Sequence, residues 1–321
     1  MPNPKYNPSV LDGVKMCKQH NIDVILSVGG GSVLDCSKAI AGGAKYDGEP
    51  WDLITYKAKT KDTLPIVDII TLAATGSEYD AGGVISRTET NDKTCYSDPH
   101  LYPKVSFLDP TYTFTVSKKQ TAAGVADAMN HIMEQYFCED STLLNDGFME
   151  AGLRSLMING RKCLENPEDY KARAEMMLVC TYGCNGIYSL GNSESGWPCH
   201  GMEHALSAYY DITHGEGLAI ITPRWMKHIL SEKTVDRFVK YGVNVFGIDG
   251  SLDKMTIANK AIDETYKFFE SINIPMHLKD VGIDETRIET MAKHVADNEG
   301  LENAWAPLLQ EDIAAIFRAS L

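Results

Sequence analysis

No stretch of the sequence approaches the roughly 18 consecutive apolar residues that a membrane span requires. The opening residues Met1-Pro2-Asn3-Pro4-Lys5-Tyr6 lack the basic and then apolar segments of a signal peptide, so the expected location is the cytoplasm and no membrane partner is expected. Positive charge is also scarce. Thirty Lys and Arg stand against 44 Asp and Glu, and a net charge of −14 repels phosphate backbones, which argues against nucleic acid as a partner. The eight cysteines (17, 36, 95, 138, 163, 180, 184 and 199) show no pattern of short paired spacings. Cys180-x-x-x-Cys184 lies in a helix-like run and reads as two buried thiols rather than a metal clip. Walker loop, Gly-x-Gly-x-x-Gly fingerprint, internal repeat and low-complexity tract are all missing.

What the chain does have is histidine in a suggestive pattern. Four of its nine histidines fall in two short windows, Asp127-x-x-x-His131 and His200-x-x-x-His204 followed by His214. Side chains four apart on a helix project from one face, so each window aims two polar groups at one spot. A catalytic transition metal takes three or four N/O ligands from elements that pack together. A lone Asp-x-x-x-His is more often a solvated helix face; the second cluster shifts the balance towards a metal. Spacing leaves five candidates, Asp127, His131, His200, His204 and His214, for about four places.

At 321 residues the chain has room for two domains. A helix is expected over 7–20, and Val24-Ile25-Leu26-Ser27-Val28 reads as a buried parallel strand. It runs into Gly29-Gly30-Gly31-Ser32 and a helix to about Ala41, a strand, glycine turn and helix whose N-terminus suits a phosphate. A second strand over 64–72 ends in Ala73-Ala74-Thr75-Gly76-Ser77-Glu78, where open α/β sheets bind ligands. Gly83–Arg87 and Lys93–Tyr96 form an expected hairpin, and 105–110 the last strand. Beyond Thr115 the periodicity becomes helical, with helices expected over 117–138, 143–164, 168–190, 200–210, 215–230 and 251–272. The fold class is therefore an α/β part (1–115) followed by an all-helical part (116–321), with the ligand crevice between them. Three parallel strands and a hairpin are few for a doubly wound domain, and leave sheet edges for a preceding segment or a second subunit to cover.

Taken together, Gly29-Gly30-Gly31-Ser32-x-x-Asp35-x-x-Lys38, Thr71-x-x-x-Thr75-Gly76-Ser77-Glu78, Asp127-x-x-x-His131 and His200-x-x-x-His204 with His214 resemble the iron-containing alcohol dehydrogenase family, most of all its butanol dehydrogenase and aldehyde reductase branch. The resemblance implies an α/β dinucleotide-binding domain followed by an all-helical metal domain, with metal ligands at Asp127, His131, His200 and His214. It leaves His204 beside the metal and nicotinamide, where the near-neutral pKa usual for histidine suits a proton relay and the place suits an orienting group equally. It implies a cofactor site with Gly30, Gly31, Ser32 and Asp35 at the pyrophosphate and nearby ribose, lined further by Thr71, Thr75, Val84, Lys93 and Tyr112. Fe(II) or Zn(II) and NADP(H) rather than NAD(H) are the implied cofactors, a small alcohol or aldehyde the substrate, and a homodimer or higher homo-oligomer the assembly. The resemblance begins at about Pro2, and the family carries a further N-terminal segment with its first strands. Asp80 stands where the branch commonly has asparagine. The rival readings are a truncated metal-binding homologue without turnover, and a dehydroquinate synthase-like lyase, whose phosphorylated substrate calls for a basic cluster that the sequence does not offer.

Overall fold

The computed structural model describes residues 3–321. In chain order the first part comprises α1 (Leu11–His20), β1 (Ile25–Gly29), α2 (Gly31–Ala44), a single turn α3 (Trp51–Ile54), β2 (Ile66–Ile70), β3 (Gly82–Arg87), β4 (Asp92–Ser97) and β5 (Val105–Phe107). The second part is helical: α4 (Lys118–Tyr136), α5 (Leu143–Glu165), α6 (Tyr170–Gly183), α7 (Pro198–Tyr210), α8 (His214–Ile229), α9 (Val235–Phe246), α10 (Lys254–Ser271), α11 (Ile288–Asn298) and α12 (Gln310–Ala319). No helix among the described residues is long and apolar enough to cross a membrane.

Two elements are shorter than their periodicity suggests. The regular first helix begins at Leu11, because Pro8 disfavours helical backbone at Asn7, which is extended. The sixth helix stops at Gly183 rather than 190, where Asn185-Gly186, with Gly186 at φ +86°, turns the chain. Of its two thiols, Cys180 is buried and Cys184 only partly so.

β1, β2 and β5 pair in parallel, in the order β1-β2-β5, while β3 and β4 form a separate antiparallel hairpin. α2 packs on one face of the parallel sheet, burying Leu34 and Ala41 against Ile66 and Ile70. The other face corrects the expectation of a strand buried on both sides. Two rows in exact register, Leu26-Val67-Val105 and Val28-Ile69-Phe107, carry apolar side chains outward, with Leu26 61% and Phe107 53% exposed. An apolar run cannot distinguish one covered face from two.

The helical part is built on α4. From Thr121 to Tyr136 every residue is buried, as expected of a helix packed on all sides, here by α5, α6, α7 and α8. Gly215, at the start of α8, lets that helix touch α4. A Cβ there would lie 2.0 Å from the Ala123 carbonyl oxygen, so only glycine permits the approach.

One buried charge yields a stability prediction. Asp68, between Ser27 and Ser106 at the centre of the sheet, is fully buried and its carboxylate has no hydrogen-bond partner. Burial raises its pKa from 3.8 to about 6. A raised carboxyl pKa adds stability at low pH that is lost as pH climbs from about 3.8 through about 6. Asp68→Asn should therefore be more stable than the parent at pH 8 by about 3 kcal/mol and unfold at a higher temperature, with roughly half that gap at pH 5. Equal melting curves at pH 8 would show the carboxylate to be solvated.

Candidate metal centre

The polar stripe on α4 falls at Asp127, His131 and Glu134, one face of the helix, and α7 opposes it with His200, Glu203 and His204. The carboxylate oxygen Asp127 Oδ1 is the hub. Around it lie the Nε2 atoms of His131 at 3.3 Å, His214 at 3.6 Å and His200 at 3.8 Å. Asp127, His131 and His200 offer ligand atoms all within 4.8 Å of one another. Ligands about 2.1 Å from a tetrahedral ion stand about 3.4 Å apart, so these spacings match the edges of a slightly open coordination shell.

No hydrogen bond satisfies Asp127 Oδ1 or His200 Nε2, although both atoms are buried. Unpaired polar atoms cost too much to bury without compensation, and a divalent cation would satisfy both. The carboxylate and two of the three rings are already in the protonation state that ligation needs. Burial would raise the Asp127 carboxyl, but the imidazoles, His131 foremost, hold it well below the usual range. Burial lowers His131 to about 4 against the pull of Asp127, and lowers His214 against Glu203, so both rings are neutral donors at pH 7. Burial opposes charge on His200 too, but Glu134 and Asp127 outweigh it and push its pKa up to about 10, so this ring is protonated at pH 7 and an ion would displace its Nε2 proton.

Two outer carboxylates orient two of the rings, and the sequence reading passed over both. Glu134, fully buried, accepts from the backbone N–H of Cys199 (2.6 Å) and of His200 (3.2 Å), and from Nδ1 of His200. It thus caps α7, whose own preceding residue Trp197 supplies no cap, and turns Nε2 of His200 towards Asp127. Glu203 accepts from Nδ1 of His214 and the hydroxyl of Ser207, and binds Lys93 Nζ at 2.8 Å. Burial would raise Glu203, yet His214 and Lys93 bring it down to about 2. The signal was present in the spacing: Glu134 follows His131, and Glu203 follows His200, by three residues.

His204 stands apart from the hub. Its Nδ1 faces Glu299 at 3.5 Å and its ring stacks beside His214, centroids 6.1 Å apart. Trp197 lies edge-on to His131 and His200, at 6.2 and 5.2 Å, and supplies an apolar wall.

The glycine turn lies at the carboxyl end of β1, with Gly30 capping α2 in extended backbone and Ser32 in its first turn. Gly31 has no room for a side chain, since a Cβ would meet Thr75 Oγ1 at 2.3 Å. Thr71 continues β2, its N–H donating to the Gly29 carbonyl, and Tyr112 sits half exposed on a short turn beyond β5. Asp35 is turned inward: its carboxylate accepts from Ser77 Oγ (2.7 Å) and from the Val84 N–H (3.0 Å). Lys38, fully buried, donates to Ser77, to the Gly82 carbonyl and to Asp80 Oδ1 at 2.6 Å. The negative charge of Asp80 is therefore paired. Lys93 is placed not along the glycine turn but at the junction of β4 with the metal centre, buried against Glu203.

Residues 1–110 match the family described as iron-containing alcohol dehydrogenase, and residues 121–321 its C-terminal description, Fe-containing alcohol dehydrogenase family. NADH-dependent butanol dehydrogenase A of Clostridium acetobutylicum is 47% identical over 99% of this chain and 82% of its own length. NADPH-dependent aldehyde reductase YqhD of Escherichia coli is 36% identical over 92% of this chain and 77% of its own length. Among solved structures, NADH-dependent butanol dehydrogenase A of Thermotoga maritima superposes with a TM-score of 0.94 at 36% identity, covering 100% of this chain and 81% of that one. A cluster of one carboxylate and three imidazoles, matches to both halves of the family description and relatives at 47% and 36% identity place this chain in the iron-containing alcohol dehydrogenase family.

Proposed function

We propose that this chain, an NAD(P)-dependent alcohol dehydrogenase by family, transfers a hydride reversibly between the nicotinamide and small primary alcohols or aldehydes beside a divalent ion held by Asp127, His131, His200 and His214. The convergence of those four side chains at Asp127 Oδ1, with buried donors left unpaired, carries the reading. When bound, the ion, Fe(II) or Zn(II), supplies Lewis acidity at a substrate oxygen and the nicotinamide supplies or accepts the hydride.

The chain's own groups do the rest. Residues 1–115 serve as the nucleotide half and 116–321 as the metal half. Backbone N–H groups at Gly30, Gly31 and Ser32, at the positive end of α2, hold the pyrophosphate and offset the repulsion of a chain carrying −14 overall. Asp35 fixes Ser77 and Val84 beside the ribose, and Thr71, Thr75, Lys93 and Tyr112 line the remaining path. His204 moves a proton between the substrate oxygen and the half-exposed side near Glu299. Trp197 favours straight apolar tails. The open edges and bare apolar face of the parallel sheet support a homodimer or larger self-assembly, in the cytoplasm.

Butanal should drive oxidation of NAD(P)H, the rate should vanish after dialysis against a chelator, and Fe(II) or Zn(II) should restore it. Metal retained without any cofactor binding would overturn the reading. NADP(H) is the cofactor we favour, against the NADH in the names of two butanol dehydrogenase relatives. The ratio of kcat/KM for NADPH and NADH decides the matter.

Single substitutions separate ligand from relay. His214→Ala should strip the purified protein of metal, whereas His204→Ala should keep its metal and lose about 100-fold or more in rate. Should metal analysis find His204→Ala empty and His214→Ala full, the assignment of the two histidines is reversed.

A further inference from the structure

Lys93 is the buried cation beside the metal centre, and it arrives from the other half of the protein. β4 carries its ammonium to 2.8 Å from Glu203 and 3.1 Å from Nδ1 of His214. That ring atom already presents its proton to Glu203, so the lysine lies against it without donating to it. A positive charge there opposes a divalent ion at the far side of the same imidazole. Glu203, wholly buried, touches both the lysine and the ring, and its charge is the one that answers Lys93.

We propose that Glu203 is a positioning residue of the metal centre with two linked duties: it orients His214 through Nδ1, and it cancels the Lys93 charge that would otherwise compete with the ion. The inference rests on reading the four-donor cluster as a metal centre. Buried charge supports it. The negative groups are Asp127, Glu134 and Glu203, the positive group is Lys93, and a divalent ion brings the set to neutrality. Without Glu203 the lysine stays buried and unpaired, and the set carries excess positive charge. Removing Lys93 as well restores the balance.

The pair therefore predicts a rescue, which a purely packing role for Glu203 does not. Co(II) is the probe, titrated into the metal-free full chain against a competing chelator while its visible d–d bands are recorded. Glu203→Gln should weaken Co(II) binding by about 10–100-fold and shift the bands, because His214 loses its anionic acceptor. Adding Lys93→Met to Glu203→Gln should recover about tenfold of that loss, whereas Lys93→Met alone should not tighten Co(II) binding as much, a non-additivity expected of partners. Lys5→Met serves as the control: Lys5 binds Asp211 at 2.8 Å across the same junction, so its loss loosens the halves without touching Glu203. It should bind Co(II) as the parent does.

Co(II) affinity for Glu203→Gln within about twofold of the parent, or a double variant no better than Glu203→Gln, would overturn the inference. So would a Lys5→Met variant that reproduces the loss. A parent chain that fails to bind Co(II) sinks the metal-centre reading itself, whereas a parent that binds it and responds as described, yet reduces no aldehyde, sinks only the proposed reaction. Circular dichroism of each variant identifies one that has merely unfolded.

Discussion

Burying Asp127 inside a helix that has no solvent-facing side is the constraint to which the rest of the structure answers. A lone carboxylate there would cost several kcal/mol, and its pKa would rise until it took up a proton. Instead three imidazoles from α4, α7 and α8 face it, His200 among them carrying a proton, and two of those rings lean on further carboxylates, Glu134 and Glu203. Each buried charge is thus answered by another until the last, on Lys93, comes from the hairpin of the α/β part. The polar network and the packing of α4 against its neighbours are one problem with one solution. Gly215 is where the two meet, since the contact that seats α8 on α4 also delivers His214 to Asp127.

The α/β part is organised by the same logic at smaller scale. Lys38 sits wholly inside the protein and gathers the turn after β2 around its ammonium, while Asp35, one helical turn earlier, fastens Ser77 and the start of β3. These contacts shape the wall facing the glycine turn. A neutral residue at position 80 would cost Lys38 its 2.6 Å ion pair, so the aspartate there belongs to the frame of the turn.

Much of this was legible before the structure. Strand, glycine turn and helix at 25–44, the change of period near Thr115 and the two histidine windows are local signals, and local patterns survive folding. Less legible was anything set by a distant partner. The run Val24 to Val28 reads the same whether one or both faces are covered, and only the register with β2 and β5 reveals the bare side. Asp35 and Lys93 carry the residue types expected near a nucleotide, but neither type reveals that Asp35 turns inward or that Lys93 meets a carboxylate more than a hundred positions away. Glu134 and Glu203 lay in plain view at helical spacing. A histidine that aims one ring nitrogen into a cluster needs an acceptor for the other, and a buried carboxylate at helical spacing is the residue type that supplies it.

Glu134 ties a helix terminus to one of the converging imidazoles. The carboxylate that completes the first turn of α7 is the one that aims His200, so the helix cannot begin one residue earlier or later without swinging the ring aside. Asp211, in left-handed backbone at the other end, limits the same helix before the chain returns with His214. The interval between the second and third imidazoles is in this way a fixed ruler. Insertions and deletions that surface loops elsewhere in the molecule would absorb are excluded from it.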